Sequence, residues 1–336
     1  MKKTTAFKSL LLATFSVATL NSYSQITLAK ADEWSDIKGR TLIVQMLEED
    51  PEVIADMEKK ISKEKKADDK AKAQKQLDDT RNFIKNYNKF MKDAVTKVWD
   101  LNKKVEYKTI SEVKALRKSK SKQYTVLFYS ESSSNRTDEY GFRYFPDMSI
   151  PTLNYSRIEE GTIRIDYSFF MASNGTNPFT YADALLSLKL MKNHIAEIQK
   201  VGKKNYTMQD YAKDQGEANC KELKDKTIKM DKVYMHDKTT EADMKSNFTA
   251  GKLEFINSAD VAKAIENEED VIIGFPIPYS IAVGSMGPLT AARITFYRCF
   301  INVKTGKIIT FNGTSMGDFN DQYFRPKEMR AHSECK

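Results

Sequence analysis

Two short stretches of this chain nearly repeat each other. KVEYKTISEV covers Lys104–Val113, and KLEFINSADV covers Lys252–Val261, 148 residues later. Each begins with apolar residues at alternate positions, and Thr109 or Asn257 then precedes an acid by three residues. This pattern is typical of a short strand that leads into an N-capped helix. The same strand-to-helix junction is therefore predicted twice.

The similarity extends to both sides of these stretches. IKGRTL (37–42) resembles LKDKTI (223–228), and YTVLFYS (124–130) resembles VIIGFPI (271–277), in the same order along the chain. Shared order at a long period indicates an internal repeat. IKGRTL and LKDKTI are 186 residues apart, whereas the two stretches quoted at the start are 148 apart. The first copy therefore contains 38 additional residues. These correspond to residues 51–88.

Within each copy, strand and helix patterns alternate. Alternation of this kind predicts βαβ crossovers and parallel strand pairing. Later segments of each copy read as antiparallel hairpins, with a turn at Lys304-Thr305-Gly306 in the second copy. Mixed sheets are therefore expected. The predicted parallel strands are Thr41–Leu47, Val105–Lys108 and Tyr124–Ser130 in copy one, and Thr227–Val233, Leu253–Ile256 and Val271–Phe275 in copy two.

A strong helix pattern at residues 180–200 connects the copies. Thr180 and Asp183 form its predicted cap, and Gly202 its stop signal. The predicted fold class is α/β (or α+β), with two related βαβαβ units. The first covers residues 25–202 and the second 203–336.

The 51–88 insertion is rich in charge. Ile54, Met57 and Ile61 recur at helical spacing, whereas residues 63–76 have no apolar side chain larger than alanine. We expect a long helix or helix pair that is packed at its end and solvated through its middle. Two interpretations stay open: a charged helix that only faces water, and an arm that docks a partner, such as another envelope protein.

The N-terminus has the features of a secretory signal peptide. Lys2, Lys3 and Lys8 precede an uncharged run, and small residues end at Ser24. We expect cleavage after Ser24, with signal peptide 1–24, and a periplasmic or extracellular location. Cleavage removes three lysines from the net charge of +8 and leaves +5. This mild balance gives little support for nucleic-acid binding, which predicts steeply salt-dependent affinity.

No transmembrane span is expected. The longest uncharged run after the signal peptide, Val271–Ala292, contains three prolines and three glycines, so it reads as two strands and a loop. The chain has three cysteines, so one thiol stays free if a disulfide forms. The candidate pair is Cys220 and Cys335, which bracket the second copy. Cys299 lies in a strand-like run and is expected in the core.

Signatures of catalysis or metal binding do not appear in the sequence. The three histidines lack metal-ligand spacing, and no P-loop, GxGxxG, HExxH or GxSxG motif occurs. No catalytic residue, metal ligand or cofactor is therefore predicted. Asp166 stands alone in a strand-like run, where alternation places it on a solvent-facing side.

Topology alone indicates a binding site. In open α/β sheets, ligand clefts lie beyond the carboxyl ends of the parallel strands. That rule selects the positions that follow the third strand of each copy. The candidate binding residues are Ser130, Glu131, Arg136, Pro278 and Tyr279.

The signal peptide and the duplicated α/β plan resemble uncharacterised exported bacterial proteins. The resemblance covers organisation and implies no activity. The leading hypothesis is a non-catalytic extracytoplasmic protein with an envelope-associated binding or assembly role. The alternative is a secreted or periplasmic hydrolase with a carboxylate-based site in the cleft between the two units.

Overall fold

A computed structural model describes residues 21–24, 33–119, 121–133, 149–159, 161–171, 179–203, 206–286, 289–313 and 322–335. Strand β1 (Asn21–Ser24) precedes two α/β units, and helix α5 (Tyr181–Val201) connects them. The first unit contains α1 (Trp34–Gly39), β2 (Thr41–Met46), α2 (Pro51–Lys63), α3 (Ala67–Val98), β3 (Val105–Thr109), α4 (Ile110–Lys118), β4 (Tyr124–Ser133), β5 (Ser149–Glu159) and β6 (Thr162–Phe170). The second unit contains α6 (Met208–Asn219), β7 (Thr227–Asp231), α7 (Glu241–Asn247), β8 (Lys252–Ile256), α8 (Ser258–Glu266), β9 (Ile272–Met286), β10 (Leu289–Asn302), β11 (Lys307–Asn312) and α9 (Pro326–Ser333).

The two sheets have the same strand order. The first runs β3-β2-β4-β5-β6 and the second β8-β7-β9-β10-β11. In each, the first strand in sequence lies between two parallel partners, and two antiparallel strands extend one side. The predicted α/β class, with two related units and mixed sheets, is confirmed. Strands β4 and β9 continue beyond their predicted ends.

The repeated junction begins a helix in both units. Thr109 and Glu112 form a capping box at α4, and the Asn257 side chain accepts the Asp260 amide at α8. Such caps satisfy backbone N–H groups that have no partner within the helix. The spacing of cap and acid in the quoted stretches therefore fixes where each helix begins.

Helix α5 lies between the units. Its capping box joins Thr180 and Asp183, and Gly202 ends it with φ +66°. Apolar side chains of α5, among them Leu185, Leu188 and Ile195, are buried, and so are His194 and Lys189. His194 contacts Tyr167 of the first unit and Tyr211 of the second, so α5 belongs to a core shared by both units.

The β10–β11 turn docks on α5. The Lys189 ammonium donates to the carbonyl oxygens of Val303 (3.0 Å) and Lys304 (3.2 Å), and Asn193 Nδ2 donates to the Thr305 carbonyl at 2.9 Å. Gly306 completes the turn with φ +66°. These bonds attach the second unit to the connecting helix.

Asp166 differs from its predicted solvent-facing position. Its side chain is fully buried and accepts two hydrogen bonds from Arg157 Nε, at 2.9 and 3.0 Å. Arg157 also lies 3.3 Å from Glu33, just before α1. Alternation identifies the face of a strand but cannot show that another segment covers it, and here the segment around Glu33 contacts that face.

Helices α2 and α3 form an antiparallel hairpin. Ile54, Ile61 and Leu77 make a small hydrophobic cluster, separate from the main core. The C-terminal part of α3 joins the main core through Tyr87 and the residues that follow it. We call residues 51–80 the helical arm. The predicted helix pair, packed at its end and solvated through its middle, is confirmed.

Three further expectations concern the chain as a whole. Among the described residues, no helix is long and apolar enough to cross a membrane. The structure joins Cys220 and Cys335 in a disulfide with a Cα–Cα distance of 5.9 Å, and it buries the free thiol of Cys299. Residues 1–20 and 25–32, and with them most of the predicted signal peptide, lie outside the described residues.

Candidate functional site

Of the five topology-derived residues, only Ser130 and Pro278 have described side chains. Ser130 accepts a hydrogen bond from Asn154 Nδ2 at 2.8 Å, so an internal polar contact engages its hydroxyl. Pro278 is buried on β9. The side chains of Glu131 and Tyr279 lie outside the described residues, and so does Arg136 altogether.

A cavity does occur at the carboxyl edge of the parallel strands of the second unit. Its volume is about 70 Å³, and it lies where β7 ends, beside the N-termini of α5 and α8. We call it the edge cavity. Strand β7 lies between β8 and β9, so this is the point where the chain switches sides of the sheet, where α/β folds place ligands. Its polar and aromatic lining includes Thr180, Asp183, Asp231, Tyr234, Ser258 and Phe275.

The two carboxylates of the edge cavity also have structural tasks. Asp183 Oδ2 accepts from the Thr180 amide (2.9 Å) and from the Thr180 hydroxyl (2.7 Å). Burial raises the pKa of Asp183, and the two bonds from Thr180 only partly oppose that rise. Asp231 Oδ1 accepts from the Val233 amide at 3.0 Å. Each carboxylate thus stabilises a helical segment, while its other oxygen has no hydrogen-bond partner among the described residues.

Tyr234 contributes a phenol to the lining of the edge cavity. It is only 5% exposed, and its hydroxyl has no hydrogen-bond partner among the described residues. Its ring packs edge-on against Phe275, with centroids 5.7 Å apart. Burial and the charges of Asp231 and Asp183 raise the pKa of Tyr234, so its hydroxyl stays protonated. The cavity therefore offers a hydrogen-bond donor beside two carboxylates.

At the corresponding place in the first unit, a glutamate binds the first turn of a helix. Glu48 accepts from the Ser111 amide (3.0 Å) and the Ser111 hydroxyl (2.9 Å) at the N-terminus of α4. The bond from the Ser111 amide is the main cause that lowers the pKa of Glu48. The repeat offset of 186 residues places Tyr234 where Glu48 stands. The two units thus differ at this edge: one is capped internally and the other has the edge cavity.

Two of the three histidines are core residues. His194 Nδ1 lies 2.7 Å from the Tyr167 hydroxyl, and His332 Nδ1 lies 2.7 Å from Thr310 Oγ1. Burial lowers the pKa of each histidine to about 3. Both are therefore neutral and inaccessible. Within the described ranges, no group of three His, Cys, Asp or Glu side chains could hold a metal ion.

The helical arm carries a second candidate surface at its outer end. Residues 59–75 contain eight lysines and three acidic residues. Lys75 pairs with Asp79 at 2.7 Å, but in the described part of the chain none of the other seven ammonium groups forms an ion pair. All seven side chains are exposed. We call this set the lysine tip: Lys59, Lys60, Lys63, Lys65, Lys66, Lys70 and Lys72.

The base of the arm has the opposite charge. Residues 48–58 contain six acidic side chains and no basic one. Arg81 joins Glu49 and Glu58 at this base, at 3.4 and 3.0 Å. Positive charge is therefore concentrated at the outer end of the arm, where α2 connects to α3. The runs of opposite sign are visible in the sequence, and the hairpin shows where each lies along the folded arm.

Comparison of the chain with models of protein families, with curated proteins and with solved structures found no match.

Proposed function

We propose that this protein is a non-catalytic extracytoplasmic protein that associates with the cell envelope through its helical arm. The observation that carries the proposal is the lysine tip: seven exposed ammonium groups without ion partners, at the end of a hairpin with its own small core. A projecting, charged element of this kind suits an envelope-associated binding or assembly role.

The construction of the arm supports a docking role. Ile54, Ile61 and Leu77 hold the two helices together without help from the main core. Asp50 caps α2 through the amides of Glu52 and Val53. A hairpin that is stabilised internally can present its outer surface without disturbing the α/β units.

The chemistry of the core supports a non-catalytic role. His194, His332 and Cys299, which belong to the residue types most used in acid–base and nucleophilic catalysis, are all buried. Burial raises the pKa of the Cys299 thiol and lowers that of both histidines. These side chains therefore act as packing groups.

Export is the second part of the proposal and rests on the N-terminal sequence. Strand β1 pairs with β9 from Asn21↔Val283 to Ser24↔Ser280. Cleavage after Ser24 removes β1 and frees that part of the β9 edge. N-terminal sequencing of the protein recovered from the periplasm or medium tests the cleavage site; retention of Met1 would contradict it.

Sedimentation with isolated envelope membranes tests the proposed role. The mature chain is compared with an arm-less variant in which a short Gly-Ser linker replaces residues 51–80. A short linker suffices because Arg81 and Glu49, which flank the deletion, are in contact at 3.4 Å. The boundary keeps Tyr87, which is fully buried, and Asn88, which exchanges two hydrogen bonds with Leu47.

We expect the full chain to sediment with the membranes and the arm-less variant to stay in solution. Equal sedimentation of both folded proteins would contradict docking through the arm. Circular dichroism and thermal unfolding of both proteins provide the control for folding.

The edge cavity favours a second candidate function, the hydrolase. Asp183, whose pKa is raised, and Asp231 line one small cavity with Tyr234, an arrangement that could supply an acid and a base. A panel of ester, glycoside, phosphate and peptide substrates tests it, with Asp231→Asn and Tyr234→Phe as variants. Turnover that both variants reduce at least tenfold would favour the hydrolase over the binding role.

A further inference from the structure

We propose that the lysine tip binds the surface of a membrane that contains anionic phospholipids. This inference rests on the proposed function and names the component of the envelope that the arm contacts. It commits to lipid headgroups; an envelope protein or a nucleic acid as the partner is an outcome that the test below separates.

The shape of the arm suits a flat surface. Helix α2 has 13 residues, which gives a length of about 20 Å at 1.5 Å per residue. The lysines lie on both helices and on the short connection between them, so the positive charge is spread around the end of the hairpin. The hollow at Lys59, Lys60 and Lys63 shares its lining with two carboxylates, which disfavour a discrete anionic ligand there. Charge spread over the whole end can instead contact a broad anionic surface.

The side-chain chemistry of the tip favours headgroups over nucleic acid. Residues 51–82 contain no aromatic side chain on which a base could stack, and their single arginine, Arg81, is engaged at the base of the arm. Lysine ammonium groups act as flexible point charges and do not impose the bidentate geometry of arginine. Clustered lysines of this kind are attracted to anionic lipid surfaces.

The tip also lacks the means to insert into the bilayer. Residues 63–76 have no apolar side chain larger than alanine, and the apolar residues Ile54, Ile61 and Leu77 are used inside the arm. Binding is therefore electrostatic and reversible, without burial of apolar area in the acyl region. It should weaken strongly with salt, because exposed charges are screened within about 10 Å at 0.1 M ionic strength.

The acidic base of the arm sets the orientation. Most of the six carboxylates within residues 48–58 precede the lysine tip along the arm, and Asp56 borders Lys59 and Lys60. An anionic surface attracts the tip and repels this base. The arm should therefore approach the membrane end-on, with the two α/β units held away from it.

The test measures binding of the mature full chain to lipid vesicles. The vesicles are phosphatidylcholine alone or phosphatidylcholine mixed with phosphatidylglycerol. The tip variant carries Lys60→Gln, Lys63→Gln, Lys66→Gln and Lys70→Gln. The matched control loses the same charge from exposed, unpaired lysines elsewhere: Lys114→Gln, Lys118→Gln, Lys221→Gln and Lys224→Gln.

We expect the wild-type chain to bind the anionic vesicles and to be released by about 0.5 M salt. A lysine near an anionic surface contributes roughly fivefold in affinity, so the tip variant should bind about 100-fold more weakly or worse. The control should lose less than about tenfold. Equal binding by the tip variant and the wild type, equal binding to neutral vesicles, or a tighter complex with duplex DNA would overturn the inference.

The two proposals can fail separately. If the arm-less variant fails to sediment with envelope membranes and the full chain does not bind pure anionic vesicles, the docking role stands. The partner is then a protein rather than lipid. If the arm-less variant sediments with the envelope as the full chain does, the docking role itself fails.

Discussion

The ammonium of Lys189 on the connecting helix lies 2.6 Å from the carboxylate of Glu268 in the second unit. Lys97 of the first unit reaches the same carboxylate at 3.1 Å. Burial alone would raise the pKa of Glu268, but the hydrogen bonds from both lysines outweigh it and lower that pKa. One carboxylate thus links α3, α5 and the second unit.

Breaking this link should destabilise the protein. Glu268→Gln leaves the buried Lys189 ammonium without its counter-ion, and the free energy of unfolding should fall by about 2 kcal/mol, a value reduced from the usual 3–5 because Glu268 is partly exposed. In the Glu268→Gln background, Lys189→Met should lower the free energy of unfolding by less than it does in the wild type. In that background it removes an ammonium group that has already lost its counter-ion. Urea unfolding of the four proteins gives the coupling; additive effects would contradict it.

Two glycines with the same backbone angle provide a matched pair. Gly306 and Gly202 both have φ +66°, but a Cβ at Gly306 would lie 2.7 Å from Lys189 Cβ, whereas one at Gly202 would meet nothing within 4 Å. Gly202→Ala should cost about 1 kcal/mol from the left-handed backbone alone. Gly306→Ala should cost at least 1 kcal/mol more, because the turn must also move away from α5. Equal losses in chemical denaturation would show that the turn does not dock as described.

The buried histidines make stability depend on pH. Their pKa is about 3 in the folded protein, below the ordinary 6.5. Below pH 6.5 the unfolded chain binds protons that the folded chain does not, so stability is full above pH 6.5 and is lost as the pH falls towards 3. The slope should be about 1.4 kcal/mol per pH unit for each histidine.

Replacing one histidine tests this slope. Between pH 6 and 4, His332→Gln should reduce the slope of unfolding free energy against pH by about 1.4 kcal/mol per pH unit, the contribution of one proton. This holds even if the substitution lowers stability at pH 7. His236→Asn, in a turn of the second unit, provides the comparison. An unchanged slope for His332→Gln would contradict the neutral, buried state of that ring.

The disulfide should contribute substantially to stability. Cys220 and Cys335 are 115 residues apart in sequence, so their bond restricts a long loop of the unfolded chain. Cys335→Ser should lower the free energy of unfolding by about 3 kcal/mol. Thiol labelling of the native wild type should modify no cysteine, and labelling after denaturation should modify Cys299 alone. Three reactive thiols in the denatured, non-reduced protein would exclude the bond.

Much of the fold could be predicted because local signals agree. The caps at Thr109, Asn257 and Thr180 were read directly from sequence, and the structure places a helix after each. Strand alternation gave the parallel trio of each unit to within about three residues, except that β9 continues from its predicted end at Phe275 to Met286. These signals depend on neighbours in the chain, so a single sequence is enough to read them.

The candidate site required the fold. Asp183 and Asp231 meet at the edge cavity although 48 positions separate them, and no local pattern marks either as more than a cap. The limits of the arm also could not be read from the sequence. The insertion inferred from repeat offsets reaches residue 88, but α3 continues without a break from the arm into the main core at Tyr87. Long-range packing decides both features.

The most direct test of the account is a lysine footprint on the unmodified mature protein. Exposed lysines are acetylated with and without envelope membranes, and the rate at each position is read by mass spectrometry. Docking through the lysine tip predicts that the membranes protect Lys60, Lys63, Lys66 and Lys70, while Lys114 and Lys221 react as before. Protection of the lysines on the α/β units with an unprotected tip would contradict it.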